Sequence, residues 1–194
     1  MGLVTNGVLL NEKNIKMLVR KLRYIRISLD AASSETYKIM KGADELSHVY
    51  DMLYELIKQR NESKSNMQIG IAYIIHKDNW HEVLSATADM KIIGVDYMTV
   101  RPVIEFGENK LFPKNYQKVL DLIKQAEELT TENFKVYANF RRIEEVKTNK
   151  KHFTKCLSTP LIGIVGADMN IYICCQMRLM PAWSIGKIDY LANE

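Results

Sequence analysis

Three cysteines near the C-terminus are the residues of this chain best suited to bind a metal. Cys156 is followed, after a gap of seventeen residues, by the adjacent pair Cys174 and Cys175. Thiolates are the usual ligands of iron–sulfur clusters, and a β-hairpin in the gap can return Cys174 to Cys156. In a continuing strand, Cys175 points to the opposite face, either as a spare ligand or as a buried thiol. Three cysteines do not complete a four-cysteine site. Two other interpretations therefore stay open, which are a small zinc-binding tail and three free thiols.

A second set of polar residues follows the ends of apolar, strand-like runs. Thr5 and Asn6 end the first run, Ser28 and Asp30 end the second, and Arg101 ends a later one. The carboxyl ends of parallel strands emerge on one face of a sheet, and α/β barrels carry their chemistry on that face. These strand ends are therefore the candidates for a ligand-binding site.

Simpler interpretations exist for each strand end. Asn6 with the following glycine is a good turn dipeptide, and Asp30 can satisfy backbone donors of the next loop and helix. Arg101 can bind a carboxylate or phosphate of a ligand, or it can lie in a surface ion pair. His76, which ends the third strand, is interpreted as an exposed loop histidine, because its spacing from His81 does not suit zinc.

The elements that position these residues follow from the hydrophobic periodicity. Apolar runs predict five strands, at 1–5, 24–29, 67–75, 96–102 and 134–138. Apolar residues at helical spacing predict helices at 11–22, 33–42, 46–60, 79–94 and 114–129. The helix at 79–94 opens on residues with the form of a capping box. Alternation of strands and helices indicates the α/β class, with a parallel sheet and right-handed crossovers.

The pattern changes after residue 140. Residues 141–155 are basic and loop-like, and strand-like runs at 161–165 and 170–173 flank a turn, which predicts a β-hairpin. We therefore predict two domains, residues 1–140 and 141–194. The loop at 103–113 separates the fourth strand from the next helix, and its charged residues could help to bind a substrate: Glu105, Glu108 and Lys110.

The composition excludes several classes of protein. The chain has 194 residues, of which 47% are hydrophobic and 26% charged, and its net charge is +4. Its basic segment lacks the interleaved aromatic residues of a nucleic-acid surface, and no apolar run approaches the roughly 20 residues that span a bilayer. No signal peptide is visible, and an odd number of clustered cysteines argues against a disulfide framework. We expect a cytoplasmic protein that binds neither nucleic acid nor membranes.

Two groups of motifs together resemble the radical S-adenosylmethionine (SAM) enzymes. The first is Thr5-Asn6-Gly7, then Arg26-Ile27-Ser28-Leu29-Asp30, then Ser34-Glu35-Thr36-Tyr37 with Lys41-Gly42. The second is Cys156, then the run from Ala167 to Cys175, then Ile185-Gly186-Lys187-Ile188, which is similar to the SPASM-type auxiliary cluster extension. The order and spacing of these motifs cover nearly the whole chain.

The resemblance implies that the chain holds strands three to six of a (β/α)6 barrel, followed by a small β-hairpin extension. Family members bind a [4Fe-4S] cluster through CxxxCxxC and cleave SAM to a 5′-deoxyadenosyl radical, which abstracts hydrogen from a peptide, sugar or small-molecule substrate. The ends of the first two strands, with Ser28 and Asp30 beside the ribose, are implied to bind the cofactor. The three cysteines are implied to hold an auxiliary [4Fe-4S] cluster, and ferredoxin or flavodoxin is the implied redox partner.

The sequence departs from that family in three ways. It contains neither CxxxCxxC nor a GGE-type segment, so we expect a piece of a longer protein, with missing barrel strands and a missing cluster ligand supplied by the rest of it or by a partner chain. Met169 stands where the extension has glycine, which costs on the order of 1 kcal/mol if the turn needs positive φ. The alternatives are a non-catalytic, truncated or degenerate binding module and an ordinary α/β-barrel fragment with a zinc-binding tail.

Overall fold

Five parallel strands form the main sheet in the computed structural model, which describes residues 1–104, 111–148, 150, 153–175 and 177–189. They follow the order β1-β2-β3-β4-β5, and every neighbouring pair is parallel. Their bounds are β1 Gly2–Thr5, β2 Tyr24–Ser28, β3 Gln68–Ile75, β4 Tyr97–Pro102 and β5 Lys135–Ala138. The loop residues Glu105, Glu108 and Lys110 lie outside the described residues. This sheet confirms the partial (β/α) barrel that the sequence predicts.

The helices α1 to α5 connect the successive strands of the sheet, as the sequence predicts, and α6 follows β5. Their bounds are α1 Glu12–Lys21, α2 Ser34–Lys41, α3 Leu46–Glu62, α4 Val83–Ile93, α5 Tyr116–Glu128 and α6 Phe140–Thr148. Asn11 begins α1 with a reciprocal capping box to Asn14, and the Ser33 hydroxyl accepts from the backbone N–H of Thr36 at the start of α2. None of the helices in the described part of the chain is long and apolar enough to cross a membrane.

The helices cover only one face of the sheet. Alternate strand residues such as Ile25, Ile27 and Ile71 are fully buried in one hydrophobic core with residues of α1, α3, α4 and α5. Burying each of these side chains contributes about 1.5–3 kcal/mol. The intervening residues point the other way, and among them Val4 and Tyr137 are 52% and 58% exposed. The sheet therefore has a covered face and an uncovered face, as in a partly open barrel.

The predicted capping box at residues 79–82 is wrong. Residues Trp80–Glu82 form one 3-10 turn before α4, and Asn79 makes no side-chain cap to it. The Glu82 carboxylate instead accepts hydrogen bonds at the start of α2, from the backbone N–H groups of Ala32 (2.7 Å) and Ser33 (3.1 Å) and from the hydroxyls of Ser33 and Thr36. A local pattern cannot reveal a cap that crosses between distant segments.

The basic segment after residue 140 is also helical where the sequence suggested a loop. Asn139 begins α6, because its side-chain oxygen accepts from the Arg142 N–H at 3.0 Å. The fully buried Ile143 anchors the helix, which packs against β4. Through such contacts the residues group into two units, Met1–Lys150 and Lys151–Glu194.

The C-terminal unit contains a small antiparallel sheet. Strands β6 Ile164–Val165 and β7 Asn170–Tyr172 form the predicted hairpin, and β8 Ser184–Lys187 adds a third strand that the sequence analysis did not predict. Met169 has φ 65° in the hairpin turn, the conformation that the glycine of the related motif would favour. The Asp168 carboxylate stabilises the turn by accepting from the Asn170 N–H at 3.2 Å.

We expect Glu82→Gln to lower the free energy of unfolding by about 1–3 kcal/mol at neutral pH, because a charged acceptor of four hydrogen bonds is replaced by a neutral one. Burial raises the pKa of Glu82, but the donors on Ser33, Ala32 and Thr36 outweigh it and hold the pKa below its ordinary value. The stabilisation is therefore present above the unfolded pKa of about 4.3 and is lost as pH falls through the lower folded pKa.

Urea unfolding at pH 7 and at about pH 3 measures this difference. The exposed Glu132→Gln serves as the control and should leave stability unchanged. A Glu82→Gln variant as stable as the wild type at pH 7 would contradict the assigned role.

Candidate functional site

The candidate site lies at the carboxyl ends of β1 to β4, and the buried Asp30 is at its centre. Asp30 is 5% exposed and has φ 61°, a left-handed conformation that aspartate tolerates better than most residues. One carboxylate oxygen accepts from the Ile74 N–H of β3 at 2.7 Å. The other accepts from the Ser28 hydroxyl at 3.2 Å and forms an ion pair with Lys41. Asp30 thus satisfies backbone and side-chain donors within the protein.

Asn79, which the sequence suggested as a helix cap, instead completes the connection between these two strand ends. Its side chain has no exposed surface. Its amide nitrogen donates to the backbone oxygens of Asp30 (2.9 Å) and Ile74 (2.8 Å), and its amide oxygen accepts from the His76 N–H (2.7 Å). An asparagine so fully bonded is structural, and only its position just after a strand end could have marked it in the sequence.

Lys41 places a cation beside Ser28. Its ammonium group donates to Asp30 and lies 3.4 Å from the Ser28 hydroxyl oxygen, and its side chain is 20% exposed. Lys41 belongs to the sequence motif at 34–42 but was given no role there. The geometry adds a partly accessible hydrogen-bond donor to the predicted pair of Ser28 and Asp30, which suits an anionic or hydroxyl group of a ligand.

Thr5 and Asn6 have local partners at the end of β1. The Thr5 hydroxyl accepts from the Gly7 N–H at 3.2 Å, and the Asn6 side chain accepts from the Val8 N–H at 3.3 Å. Gly7 has φ 86°, which a glycine adopts without strain. These contacts fit the turn interpretation of the Asn6-Gly7 pair.

His76 and Arg101 differ in their surroundings. The His76 side chain is 15% exposed and lies 3.1 Å from the Asp78 carboxylate, so it is more buried than the loop histidine that the sequence suggested. Arg101 is exposed at the end of β4, opposite Ile74 of β3. It forms no ion pair with any residue that the structure describes.

The uncovered face extends from this site across the sheet. Residues that are paired across neighbouring strands form rows on this face. One row consists of Ser28, Ala72, Thr99 and Tyr137. Two residues closer to the amino ends of the strands, the Tyr97 ring lies across Gly70, where a Cβ atom would collide with the ring. The Tyr97 ring thus occupies the space that the missing side chain of Gly70 leaves on this face.

The three cysteines lie in the C-terminal unit, where Cys156 and Cys175 are exposed and Cys174 is half-buried. Within the described residues, no group of three or more histidine, cysteine, aspartate or glutamate side chains is arranged to hold a metal ion. The cysteines therefore do not by themselves fit a cluster in this arrangement. Cys156 is distinct in another respect, because a hydrogen bond from the Thr159 hydroxyl, with further bonds at Ser158, lowers the pKa of its thiol.

Solved structures with the same fold contain S-adenosylmethionine. Streptococcus suis SuiB bound to S-adenosylmethionine matches 95% of this chain with a TM-score of 0.67 and 13% identity. Histidine-tagged anSMEcpe with bound AdoMet matches 96% of it with a TM-score of 0.63 and 18% identity. SuiB bound to the precursor peptide SuiA matches 91% with a TM-score of 0.61 and 12% identity. The chain shares their fold.

The matched region is about half of each of those proteins. The chain spans 45% of SuiB in the S-adenosylmethionine complex and 53% of anSMEcpe. No protein-family model matches the chain. No curated protein matches it either. At these identities the likeness establishes the fold alone, and it agrees with the partial barrel that the resemblance in sequence implies.

We expect Cys156 to react with iodoacetamide faster than Cys174 and Cys175 near neutral pH, because its lowered pKa gives it more thiolate. Thr159→Val should slow the alkylation of Cys156 by removing the hydroxyl donor. Mass spectrometry of peptides after timed labelling measures each rate. Ser184→Ala, in the same unit, is the control that should leave the rate unchanged, and an equal rate in the Thr159 variant would refute the assignment.

Proposed function

We propose that this chain is part of a radical S-adenosylmethionine enzyme and that its uncovered face contributes to the cofactor site. The observation that carries the proposal is the match of almost the whole chain to two proteins solved with S-adenosylmethionine, at the fold level. The motifs around Ser28, Asp30 and Lys41 support it independently, because they resemble that family in order and spacing. When bound and reduced, S-adenosylmethionine supplies a 5′-deoxyadenosyl radical for hydrogen abstraction.

The residues at the end of β2 fit this cofactor. Ser28 can exchange hydrogen bonds with a ribose hydroxyl, and the partly accessible Lys41 can donate to an anionic group. Asp30 positions both of them, because its carboxylate contacts the Ser28 hydroxyl and the Lys41 ammonium at once. In this proposal Thr5, Asn6 and Arg101 line the same side of the barrel, with the first two held in their turn.

The rest of the enzyme, in this proposal, supplies what the chain does not contain. CxxxCxxC is absent from these 194 residues, so the cluster that activates the cofactor belongs to other barrel strands or to a partner chain. Strand β1 pairs only with β2 among the described residues, and its other edge can accept a further strand. A redox partner of the ferredoxin or flavodoxin type would deliver the electron. A peptide substrate is supported by the neighbour SuiB, which was solved with its precursor peptide.

A non-catalytic binding module is the second candidate, and the missing cysteine motif favours it. The reading frame upstream of Met1 separates the two candidates. An in-frame CxxxCxxC followed by a GGE-like segment supports the enzyme. An authentic start site without these motifs supports the module, completed by a partner chain.

We expect the chain to bind S-adenosylmethionine and Ser28→Ala to weaken the binding about 3- to 10-fold, the effect of removing one hydrogen bond. Isothermal titration calorimetry with S-adenosylmethionine measures the dissociation constant. Ser85→Ala, on the exposed surface of α4, is the matched control. Thermal melting of each variant verifies the fold, and unchanged affinity in Ser28→Ala would overturn the assigned role.

The auxiliary cluster is a separate proposal, since the described residues do not assemble its ligands. If Cys156 and Cys174 are ligands, anaerobic reconstitution should yield iron with an equal amount of acid-labile sulfide, and Cys156→Ala with Cys174→Ala should abolish both. Zinc analysis of the same samples tests the zinc-tail alternative. Neither metal in the wild-type chain would identify the three cysteines as free thiols.

A further inference from the structure

A groove at the carboxyl ends of β4 and β5 carries two arginines, with no acidic residue among its described walls. Its volume is about 430 Å³. Residues that line it include Thr99, Arg101, Tyr137, Asn139 and Arg141. All of them belong to the N-terminal unit, and we call this feature the arginine groove.

Arg101 and Arg141 are the available cations of the arginine groove. Both are exposed, and neither forms an ion pair with another described residue. Two other arginines, by contrast, are paired: Arg60 with Asp96 at 2.6 Å and Arg142 with Glu145 at 2.6 Å. Two uncompensated guanidinium groups on one groove repel each other, so an anion between them is stabilised by both.

Two of the other polar groups of the arginine groove already have partners. The Thr99 hydroxyl donates to the Ile71 carbonyl at 3.3 Å, and the Asn139 side-chain oxygen accepts from the Arg142 N–H. The Tyr137 ring is 58% exposed and forms a flat wall. The charged donors of the described walls are the two guanidinium groups, which match oxyanions in geometry and charge.

The arginine groove is close to the proposed cofactor site but does not overlap it. Thr99 and Tyr137 lie in the same row of the uncovered face as Ser28. Arg101 is on β4 and Ser28 on β2, and Arg101 lies two residues beyond the row of Ser28, so their backbones are separated by about 12 Å. A cofactor at the end of β2 and a second ligand at the end of β4 can therefore bind side by side.

We propose that Arg101 and Arg141 bind an oxyanion of the substrate, either the carboxylate of an acidic residue or a phosphate. This inference rests on the proposed function, because it names the class of substrate that the proposed enzyme would bind on its uncovered face. It makes Arg101 a substrate residue rather than a cofactor residue, and it adds Arg141, which the sequence analysis left in a basic segment without a role.

Titration of the isotope-labelled chain by NMR tests the inference. The probes are acetyl-Ala-Glu-Ala-amide, its glutamine counterpart, and the phosphoserine counterpart. We expect an anionic probe, but not the neutral one, to shift amide signals at residues 99–101 and 139–141. Arg101→Gln and Arg141→Gln should each weaken that binding about tenfold, as expected for loss of a charged hydrogen bond. Arg20→Gln, on the exposed side of α1, is the matched control.

The outcomes separate this inference from the proposed function. Preference for the glutamate probe assigns a carboxylate, and preference for the phosphoserine probe assigns a phosphate. The inference is overturned if neither arginine variant weakens the binding of the anionic probes. It is also overturned if the neutral probe binds as tightly as they do. Either result counts even where S-adenosylmethionine binds normally. If the wild-type chain does not bind S-adenosylmethionine but still binds an anionic probe through the two arginines, the proposed function is overturned. The anion site is then retained.

Discussion

The buried carboxylate of Asp30 holds together the carboxyl ends of two neighbouring strands. Parallel strands must end in loops whose polar groups are no longer paired within the sheet, and burying those groups without partners is costly. Asp30 and Asn79 resolve this cost between β2 and β3, because together they satisfy the backbone at Ile74, His76 and Asp30 itself. The same carboxylate orients Lys41, so the polar surface of the candidate site depends on a structural contact beneath it.

Because helices cover one face of the sheet, the other face is accessible to a ligand. Residues such as Ile27 and Ile71 are sealed against the helices, whereas Tyr137 and Arg101 on the other face remain exposed. In a doubly covered sheet both faces are apolar and buried, and a ligand can reach only the strand ends. Here the face itself is open, and the strand register places Ser28 of β2 and Arg101 of β4 on it, with β3 between them.

The C-terminal unit has a much smaller hydrophobic core than the N-terminal unit. Its three short strands bury little, with Tyr172 as its fully buried hydrophobic residue among those described. Turn chemistry contributes much of its order, through the Asp168 carboxylate and the left-handed Met169. A unit with so small a core gains from an additional constraint, which is what a metal cluster or a contact with the rest of a longer protein would supply.

The sequence by itself determined the order of the strands and helices from β1 to β5, the parallel sheet and the hairpin, because hydrophobic periodicity and capping residues such as Asn11 and Ser33 act over a few positions. It also placed Ser28 and Asp30 at a shared edge, since the ends of parallel strands coincide. Only the tertiary structure decided that Asp30 is an internal crosslink and that Glu82 binds the start of α2, including the cap residue Ser33 49 positions away. Those roles depend on which distant donors lie within about 3 Å of a carboxylate, and no local pattern encodes that distance.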